Sequence, residues 1–268
     1  MLPNGFNVEE FPSLEELSYQ HTQKKKKMKE FLRAYFEPYY DINLEDDPRV
    51  MFISGRYEFH NKGLDVFIDA LGEMNEQEGD DFFVFIFVPS DVEGEKPEVL
   101  ENMSLYQELE TYVDELHPKI QNTLLNSLTS NDDPGQKLKD LVDETSGTVN
   151  SLQRKFHSKG EAPPTSAYDL SYAQDEILDR LYENGLENRE EDRVKVVFYP
   201  TYLSRGDKLL SMDYNDAIVA SSAGIFPSYY EPWGYTPVET AANGALSITT
   251  DMAGFGQFLY ENTEEDNR

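Results

Sequence analysis

The chain contains 268 residues, with 52 acidic against 23 basic side chains and a formal net charge of −29 at pH 7. Such a charge repels polyanions and argues against an extended surface for nucleic acid or for anionic membranes. The absence of cysteine excludes disulfides, cysteine-ligated zinc and thiol nucleophiles, whereas 38% hydrophobic residues suffice for a packed core.

The first predicted element is a helix that opens at Ser13. Ser13 and Glu16 have the spacing of a capping box, and apolar residues recur at helical spacing as far as Phe36. Pro38 is expected to end the helix before it. We assign residues 1–48 to an N-terminal linker and this helix.

Four consecutive lysines, Lys24 to Lys27, lie in the middle of this predicted helix, opposite its apolar stripe. A solvated helix face is the preferred interpretation, and a binding patch for an anionic polymer is the less favoured one. We assign these lysines no role.

From residue 49 onward, short β-type runs alternate with helical patterns, which is typical of a parallel sheet with crossover helices. One run is continuously apolar, as expected of a strand buried on both faces, and is far shorter than the ~18–20 residues of a membrane helix. We therefore predict an α/β fold with a doubly wound parallel sheet. Its strands are Arg49–Ser54, Phe82–Val88, Val194–Tyr199, Ala223–Pro227 and Leu246–Thr250.

About 100 residues between the second and third strands depart from this rhythm, and we predict a helical insertion over residues 91–190. Apolar spacing indicates helices between Leu105 and Leu128 and again at Ile177–Leu181, with loops at 131–136 and 158–165. Long helices that project from a domain need another apolar surface, so we expect self-association through this insertion.

The segments on either side of the insertion form the predicted sheet domain, with residues 49–90 as its first part and 191–268 as its second, truncated part. No membrane or export signal is recognisable, and the lack of cysteine agrees with a reducing compartment. We expect a cytoplasmic protein.

Ligands of doubly wound sheets bind beyond the carboxyl ends of the strands, and the loop GRYEFHNKG follows the first strand there. It carries Arg56, whose planar fork suits phosphate, and Lys62, a point charge near the start of the next helix. The alternative from charge alone is that Arg56 pairs with Glu58 or with a distant acid and that Lys62 is simply exposed.

The loop after the fourth strand contains two carboxylates, Glu231 and Glu239, on either side of the only tryptophan. Carboxylates hold sugar hydroxyls well. Thr236 as N-cap and Pro237 at the first helical position predict a helix start whose amides face the ligand. Glu239 then has two equal interpretations, a capping-box residue or a ligand contact. Glu231 needs a partner, because an unsatisfied carboxylate in an aromatic turn is costly.

Other kinds of site find little support. The four histidines are scattered, with no pair at helical spacing, so we expect neither a metal site nor a serine–histidine pair. No phosphate-binding P-loop or GxGxxG follows a strand, which argues against nucleotidases and dinucleotide dehydrogenases, and no cofactor is expected. Gly254 and Gly256 follow the fifth strand and indicate either backbone approach to a ligand or a plain turn.

Taken together, GRYEFHNKGLDVFIDAL, RVKVVFYPTYL, FPSYYEPWGYTPVETAANG and SITTDMAGFGQFL closely resemble the glycogen synthases of the animal and fungal type. These are retaining glycosyltransferases of the two-domain GT-B architecture. The similarity runs in order over essentially the whole chain, and PNGFNV resembles the start of the family's C-terminal domain. The resemblance therefore implies the Rossmann-like C-terminal half of a GT-B enzyme.

The resemblance implies the catalytic residues by position. Arg56 and Lys62 match the basic pair that neutralises the donor diphosphate, which favours the phosphate interpretation over the pairing alternative. Glu231 matches the first acid of the family's E-x7-E motif, which is placed at the donor glucose and proposed to act in catalysis.

The same resemblance implies the substrate-binding residues. Glu239 matches the second acid of the motif, which contacts the nucleotide ribose. Tyr214 matches a tyrosine that stacks on uracil. Tyr235 and Thr236 match the turn that contacts the phosphates. The insertion resembles the family's own, which mediates tetramer assembly.

The implied reaction moves glucose from UDP-glucose to the non-reducing end of an α-1,4-glucan with retention. The family's N-terminal Rossmann-like domain and its basic regulatory helix have no counterpart in this sequence. We therefore expect a donor-binding fragment with weak UDP-sugar binding and little or no activity alone. The alternatives are a noncatalytic sugar-nucleotide-binding or oligomerisation module, or a related GT-B transferase with another donor or acceptor.

Overall fold

The five predicted strand segments form one parallel sheet in the computed structural model, which describes residues 5–7, 11–42, 44, 47–130, 132–157 and 159–263. The described strands are β1 Arg49–Ser54, β2 Phe82–Phe87, β3 Val92–Glu95, β4 Tyr168–Leu170, β5 Val194–Phe198, β6 Ala223–Phe226 and β7 Leu246–Thr249. The described helices are α1 Leu14–Phe36, α2 Leu64–Asn75, α3 Pro97–Thr129, α4 Pro134–Phe156, α5 Glu176–Glu183, α6 Tyr214–Ala220, α7 Tyr235–Ala242 and α8 Gly254–Asn262.

The main sheet has the order β5-β2-β1-β6-β7, with all neighbours parallel. The chain runs outward from β1 to β2 and β5, then returns to the other side of β1 for β6 and β7. The switch point therefore lies between β1 and β6, and a ligand crevice is expected beyond their carboxyl ends. β1, β2 and β5 are almost entirely buried, as their apolar runs predict, whereas β7 is half exposed in the described part of the chain.

Helices cover both faces of the sheet, which confirms the predicted doubly wound α/β fold. On one face α1 and α6 pack against the sheet in a core that contains Leu32, Ile218 and Phe85. On the other face α2 and α5 pack in a second core that contains Leu71 and Ile177. Burial of these apolar faces is the main stabilising term of such layers.

The predicted start of α1 is confirmed in detail. The Ser13 side chain accepts a hydrogen bond from the Glu16 backbone amide, and the Glu16 carboxylate accepts one from the Ser13 backbone amide. The two bonds together form a capping box. The helix ends at Phe36, before Pro38, as the sequence predicts. Lys24 on this helix pairs with Asp216 of α6 at 2.7 Å, so this lysine joins two helices and is not simply solvated.

The region predicted as an insertion contains a helical hairpin of α3 and α4. The ring of Tyr106 near the start of α3 contacts that of Phe156 at the end of α4, so the two helices run antiparallel. The predicted loop at 131–136 is too long, because Asp133 caps α4 and the helix begins at Pro134. Asn131 and Ser158, at the starts of the two predicted loops, lie outside the described residues.

Two further features of residues 91–190 lie close to the sheet. β3 and β4 form an antiparallel ribbon that the sequence did not predict. α5, predicted at Ile177–Leu181, is present and packs against α2. The domain boundaries themselves stay a prediction. None of the helices in the described ranges has the length and hydropathy needed to cross a bilayer.

Candidate functional site

The loop after β1 and the loop after β6 are bound to each other at the switch point. The Tyr229 amide donates to the Asn61 carbonyl at 2.9 Å, and the His60 and Tyr229 rings stack with centroids 4.4 Å apart. Gly63 adopts a left-handed φ of 68°, and a Cβ there would lie 2.1 Å from the Pro227 carbonyl oxygen. Only glycine permits this approach, so Gly63 holds residues 55–63 against the end of β6.

This docking brings Lys62 and Glu231 together. The Lys62 ammonium contacts the Glu231 carboxylate, and the two side chains are only 15% and 23% exposed. Glu231 thus has the partner that its position required. The alternative that Lys62 is simply exposed is wrong, because its side chain is packed between Glu231 and Gly55.

Arg56 lies at the same edge but is held differently. Its guanidinium pairs with Glu58 at 2.9 Å, and its side chain is 77% exposed. The pairing alternative for Arg56 is therefore present in this structure. An ion pair this exposed is weak, so Arg56 can exchange Glu58 for an incoming anion at little cost.

A crevice of about 450 Å³ opens beyond the carboxyl ends of the central strands, and we call it the central crevice. It contains Arg56 from the first loop, Tyr214 from α6 and Thr236 from α7, so three of the seven predicted site residues share one cavity. Its full lining is Ser54, Gly55, Arg56, Tyr57, Phe87, Pro89, Thr201, Tyr202, Leu203, Tyr214 and Thr236.

Tyr214 is the first residue of α6 and is mostly buried in this crevice. Its hydroxyl lies 3.0 Å from the Ser54 hydroxyl, which fixes the ring against the end of β1. Burial raises the pKa of Tyr214 to about 12, and the charge of Glu239 contributes to the rise. Glu239, on α7, therefore lies within electrostatic range of Tyr214.

The start of α7 differs from the prediction. Gly234, with a left-handed φ of 91°, is the N-cap, and no side-chain hydrogen bond caps the helix. Thr236 is therefore not the N-cap, because the left-handed turn at Gly234 starts the helix two residues earlier. The first-turn amides of Tyr235 and Thr236 have no intrahelical acceptor and suit an anion. Glu231 packs against Gly234, next to these amides.

Glu239 is not a capping-box residue, which removes one of its two interpretations. Its carboxyl is half-buried, and desolvation raises its pKa above the ordinary value. Within the described part of the chain, no basic side chain contributes to that pKa. A half-buried carboxylate without a cation is costly unless a ligand hydroxyl reaches it.

The loop that carries Glu231 is held from behind by α8. The Gly254 amide donates to the Glu231 carbonyl at 2.9 Å, and the Trp233 ring packs against Phe255 and Phe258. A Cβ on Gly254 would lie 2.3 Å from the Pro232 carbonyl oxygen. Gly254 thus permits close backbone packing behind the loop, and the approach of a ligand to Gly254 and Gly256 stays a prediction.

Sequence reasoning missed the wall formed by Thr201, Tyr202 and Leu203. These residues come soon after β5, beyond Tyr199 and Pro200, and the rule that ligands gather beyond strand ends was a sufficient signal for them. The described residues contain no group of three or more His, Asp or Glu side chains arranged to hold a metal ion.

Comparison with known proteins gives a consistent result. The glycogen synthase family model matches residues 1–268. The chain is 33% identical over 276 residues to a Glycogen [starch] synthase of Caenorhabditis elegans, which covers 99% of this chain and 40% of the relative. It is 34% identical over 284 residues to Glycogen [starch] synthase isoform 1 of Saccharomyces cerevisiae, and the alignment covers 99% of this chain and 39% of the relative. Glycogen [starch] synthase, liver, of Homo sapiens is 33% identical to the chain over 271 residues, and the alignment covers 98% of this chain and 38% of the relative. The chain thus spans about two fifths of the length of these relatives.

Proposed function

The chain belongs to the glycogen synthase family, and we propose on this basis that it is the donor-binding half of a retaining glycosyltransferase. The complete enzyme would move glucose from UDP-glucose to the non-reducing end of an α-1,4-glucan. One observation carries the assignment to this part of the chain. Arg56 and Thr236, in the first turn of α7, line one crevice, and the partly buried pair of Lys62 and Glu231 lies beside it.

In this proposal the central crevice holds the nucleotide. The uracil stacks on Tyr214, whose ring is fixed by the hydroxyl contact with Ser54. The ribose hydroxyls reach Glu239, which lies within electrostatic range of Tyr214 and whose pKa is affected by no cation among the described residues. The diphosphate lies between Arg56 and the free amides of Tyr235 and Thr236, where the helix start favours negative charge.

The chemistry places the largest charge on the departing UDP. The bond from the glucose anomeric carbon to the β-phosphate oxygen breaks, a bond to the acceptor 4-hydroxyl oxygen forms, and the proton of that hydroxyl ends on the departing UDP. Cations and fixed amides act on the departing oxygen in the manner of an oxyanion hole. In this proposal Lys62 stabilises the leaving phosphate and Glu231 lies beside the glucose. The contact between the two side chains supports a site that they share.

Lys62 then has two successive roles, one before the donor binds and one after. Without donor it neutralises Glu231, and with donor it is shared between Glu231 and the phosphate. This sharing links the position of the acid to the presence of the leaving group. It also explains why a partly buried cation lies at a site that has to hold an anion later.

The remaining parts of the proposal concern partners. The acceptor side of the cleft requires the N-terminal half of the GT-B fold, so this chain alone is expected to bind donor weakly and to transfer little glucose. The α3–α4 hairpin exposes apolar side chains such as Leu128, at 72%, and Val142, at 62%, which supports assembly of several copies through it. We place the complete enzyme in the cytoplasm.

Isothermal titration of the chain with UDP-glucose, UDP and ADP-glucose tests the donor assignment. The proposal expects binding of UDP and UDP-glucose, with weaker binding of ADP-glucose. Lack of any UDP binding would overturn it in favour of a purely structural module. Preference for ADP-glucose would assign the crevice to a different donor.

A further inference from the structure

The loop between β5 and α6, residues 200–213, supplies one wall of the central crevice and leads to another part of it. Thr201, Tyr202 and Leu203 near its start form the wall, and the loop ends directly before Tyr214. All residues of this β5–α6 loop are described, and none of them belongs to a helix or a strand. Its shape therefore depends on contacts that its side chains make with the rest of the fold.

One buried contact joins the middle of this loop to the sheet. Tyr199 directly follows β5, its side chain is fully buried, and its hydroxyl donates to the Asp207 carboxylate. The same hydroxyl accepts a hydrogen bond from the Leu210 amide at 3.3 Å, and Asp207 Oδ1 accepts one from the Leu209 amide at 2.7 Å. The loop thus folds back onto the tyrosine from which it starts.

A second tyrosine completes this polar network from β4. The Tyr168 hydroxyl lies 3.3 Å from the Tyr199 hydroxyl and 3.4 Å from Asp207 Oδ1, and the two rings meet edge to face at 5.2 Å. Burial and the Asp207 charge raise the pKa of Tyr168 to about 12 and that of Tyr199 still further, so both hydroxyls keep their protons. A buried hydroxyl without an acceptor is costly, so this network favours one position of Asp207.

Beyond Asp207 the loop turns sharply before it reaches α6. Ser211 has a left-handed φ of 52°, which residues other than glycine rarely adopt, and its hydroxyl donates to the Arg205 carbonyl at 3.0 Å. Such a backbone conformation persists only where the surrounding structure fixes it. Asp207 and Leu210, bound through Tyr199, fix the residues directly before this turn. The contact at Asp207 therefore influences where α6 begins.

We propose that Asp207 is a positioning residue of the nucleotide site and that it acts through Tyr199. Asp207 is not part of the lining of the central crevice. It fixes the loop that forms one wall and that ends at Tyr214, so the spacing between wall and ring is set before a nucleotide binds. Such preorganisation raises affinity, because less ordering is left to occur on binding. The inference rests on the proposed function in taking a nucleotide as the ligand.

The proposal separates the two ends of the nucleotide. The wall and the Tyr214 ring both depend on the β5–α6 loop, whereas Arg56 follows β1 and the free amides of Tyr235 and Thr236 begin α7. Loss of the contact at Asp207 should therefore weaken the hold on the base and leave the hold on the diphosphate unchanged.

The test is calorimetric titration with UDP, and with pyrophosphate measured by its competition with UDP. Tyr199→Phe keeps the buried ring and removes only the hydroxyl, and should weaken UDP binding about three- to tenfold, the loss usual for one hydrogen bond. Its affinity for pyrophosphate should not change. Asp207→Ala should weaken UDP binding at least as much, and Asp207→Asn, which keeps one acceptor oxygen, should weaken it less. The double variant Tyr199→Phe with Asp207→Ala should lose no more than Asp207→Ala alone, because both changes break the same contact.

Tyr40→Phe is the matched control. The Tyr40 hydroxyl is also buried and donates to the Asn188 carbonyl at 2.9 Å, but its ring lies against Lys195, near the start of β5. Urea unfolding should show a similar loss of stability in Tyr40→Phe and Tyr199→Phe, while Tyr40→Phe keeps the UDP affinity of the unchanged chain.

Three results would overturn the inference and leave the donor assignment standing. They are unchanged UDP binding in Tyr199→Phe and Asp207→Ala, an equal loss of UDP binding in Tyr40→Phe, and a loss of pyrophosphate binding as large as that of UDP. Lack of UDP binding by the unchanged chain would instead overturn the proposed function, and the inference with it, so the two failures are distinguishable.

Discussion

The Lys62 ammonium and the Glu231 carboxylate are in contact although they are 169 positions apart in the sequence. Each comes from a loop beyond a strand end, and the two loops are joined by the Asn61 carbonyl and the Tyr229 amide. Both side chains are largely withdrawn from water. The acid and the cation therefore act as one unit, and a change to either should affect the other.

The first prediction follows from this pair. Lys62→Ala should weaken UDP binding about tenfold or more, because a hydrogen bond to a charged group contributes about 1.5–3 kcal/mol. Glu231→Gln should leave UDP binding equal or tighter, since Lys62 no longer has an anionic competitor. Titration calorimetry at fixed ionic strength measures both.

Lys137→Ala is the control for the loss of one positive charge, because Lys137 pairs with Asp132 in the exposed hairpin. Its UDP affinity should equal that of the unchanged chain. If Lys62→Ala also bound UDP with unchanged affinity, the role of Lys62 at the phosphate would be wrong.

The second prediction concerns Gly63. Gly63→Ala places a Cβ against the Pro227 carbonyl oxygen in a left-handed backbone, so we expect a loss of more than about 2 kcal/mol in the free energy of unfolding. Gly147→Ala lies in the exposed middle of α4 with open space around it, and should gain about 0.5–1 kcal/mol. Urea unfolding followed by circular dichroism compares the two. Equal stability of both variants would show that residues 55–63 are not held by this contact.

The third prediction separates the ring of Tyr214 from its hydroxyl. Tyr214→Ala should weaken UDP binding about fivefold or more, because stacking of a base on an aromatic ring contributes about 1–3 kcal/mol. Tyr214→Phe loses only the contact with Ser54 and should stay within about threefold of the unchanged chain. The same titration measures UDP binding by both variants. A loss of more than about threefold in Tyr214→Phe would show that UDP binding depends on the hydroxyl.

The fourth prediction is a pH dependence at Glu239. Burial raises its pKa above the ordinary value of 4.5, so the folded chain binds this proton more readily than the unfolded chain does. The resulting loss in the free energy of unfolding is absent below the ordinary pKa and grows as the pH rises through the raised pKa. Glu239→Gln should therefore raise the melting temperature at pH 7 and change it little at pH 4.

Glu176→Gln provides the comparison for that experiment, because Glu176 lies exposed in the first turn of α5 and the effect of its replacement should not follow this pH pattern. Thermal unfolding at several pH values measures both variants. A Glu239→Gln variant that gains as much stability at pH 4 as at pH 7 would contradict the assigned cause. In the proposed function the same variant should also bind UDP more weakly, since a neutral amide is a poorer acceptor for ribose hydroxyls.

Patterns of neighbouring residues predicted those helices and strands whose formation depends on residues close together in the sequence. The capping box at Ser13 and Glu16 fixed the start of α1, and the apolar run from Phe82 identified a strand buried on both faces. The same kind of signal was misleading at Thr236. The spacing of Thr236, Pro237 and Glu239 fits a capping box, but the left-handed turn at Gly234, held by the packing of Glu231 and Gly254, starts the helix earlier.

What the sequence by itself determined was the parallel α/β sheet, the two loops at its carboxyl edge and, through resemblance, the family. These follow from hydrophobic periodicity and from motifs that are contiguous in the chain. Only the tertiary structure decided that Lys62 pairs with Glu231, that β3 pairs with β4, and that Tyr57 and Tyr202 line one crevice. These are contacts between segments far apart in the chain, and they depend on how the layers pack, which no local pattern of residues encodes.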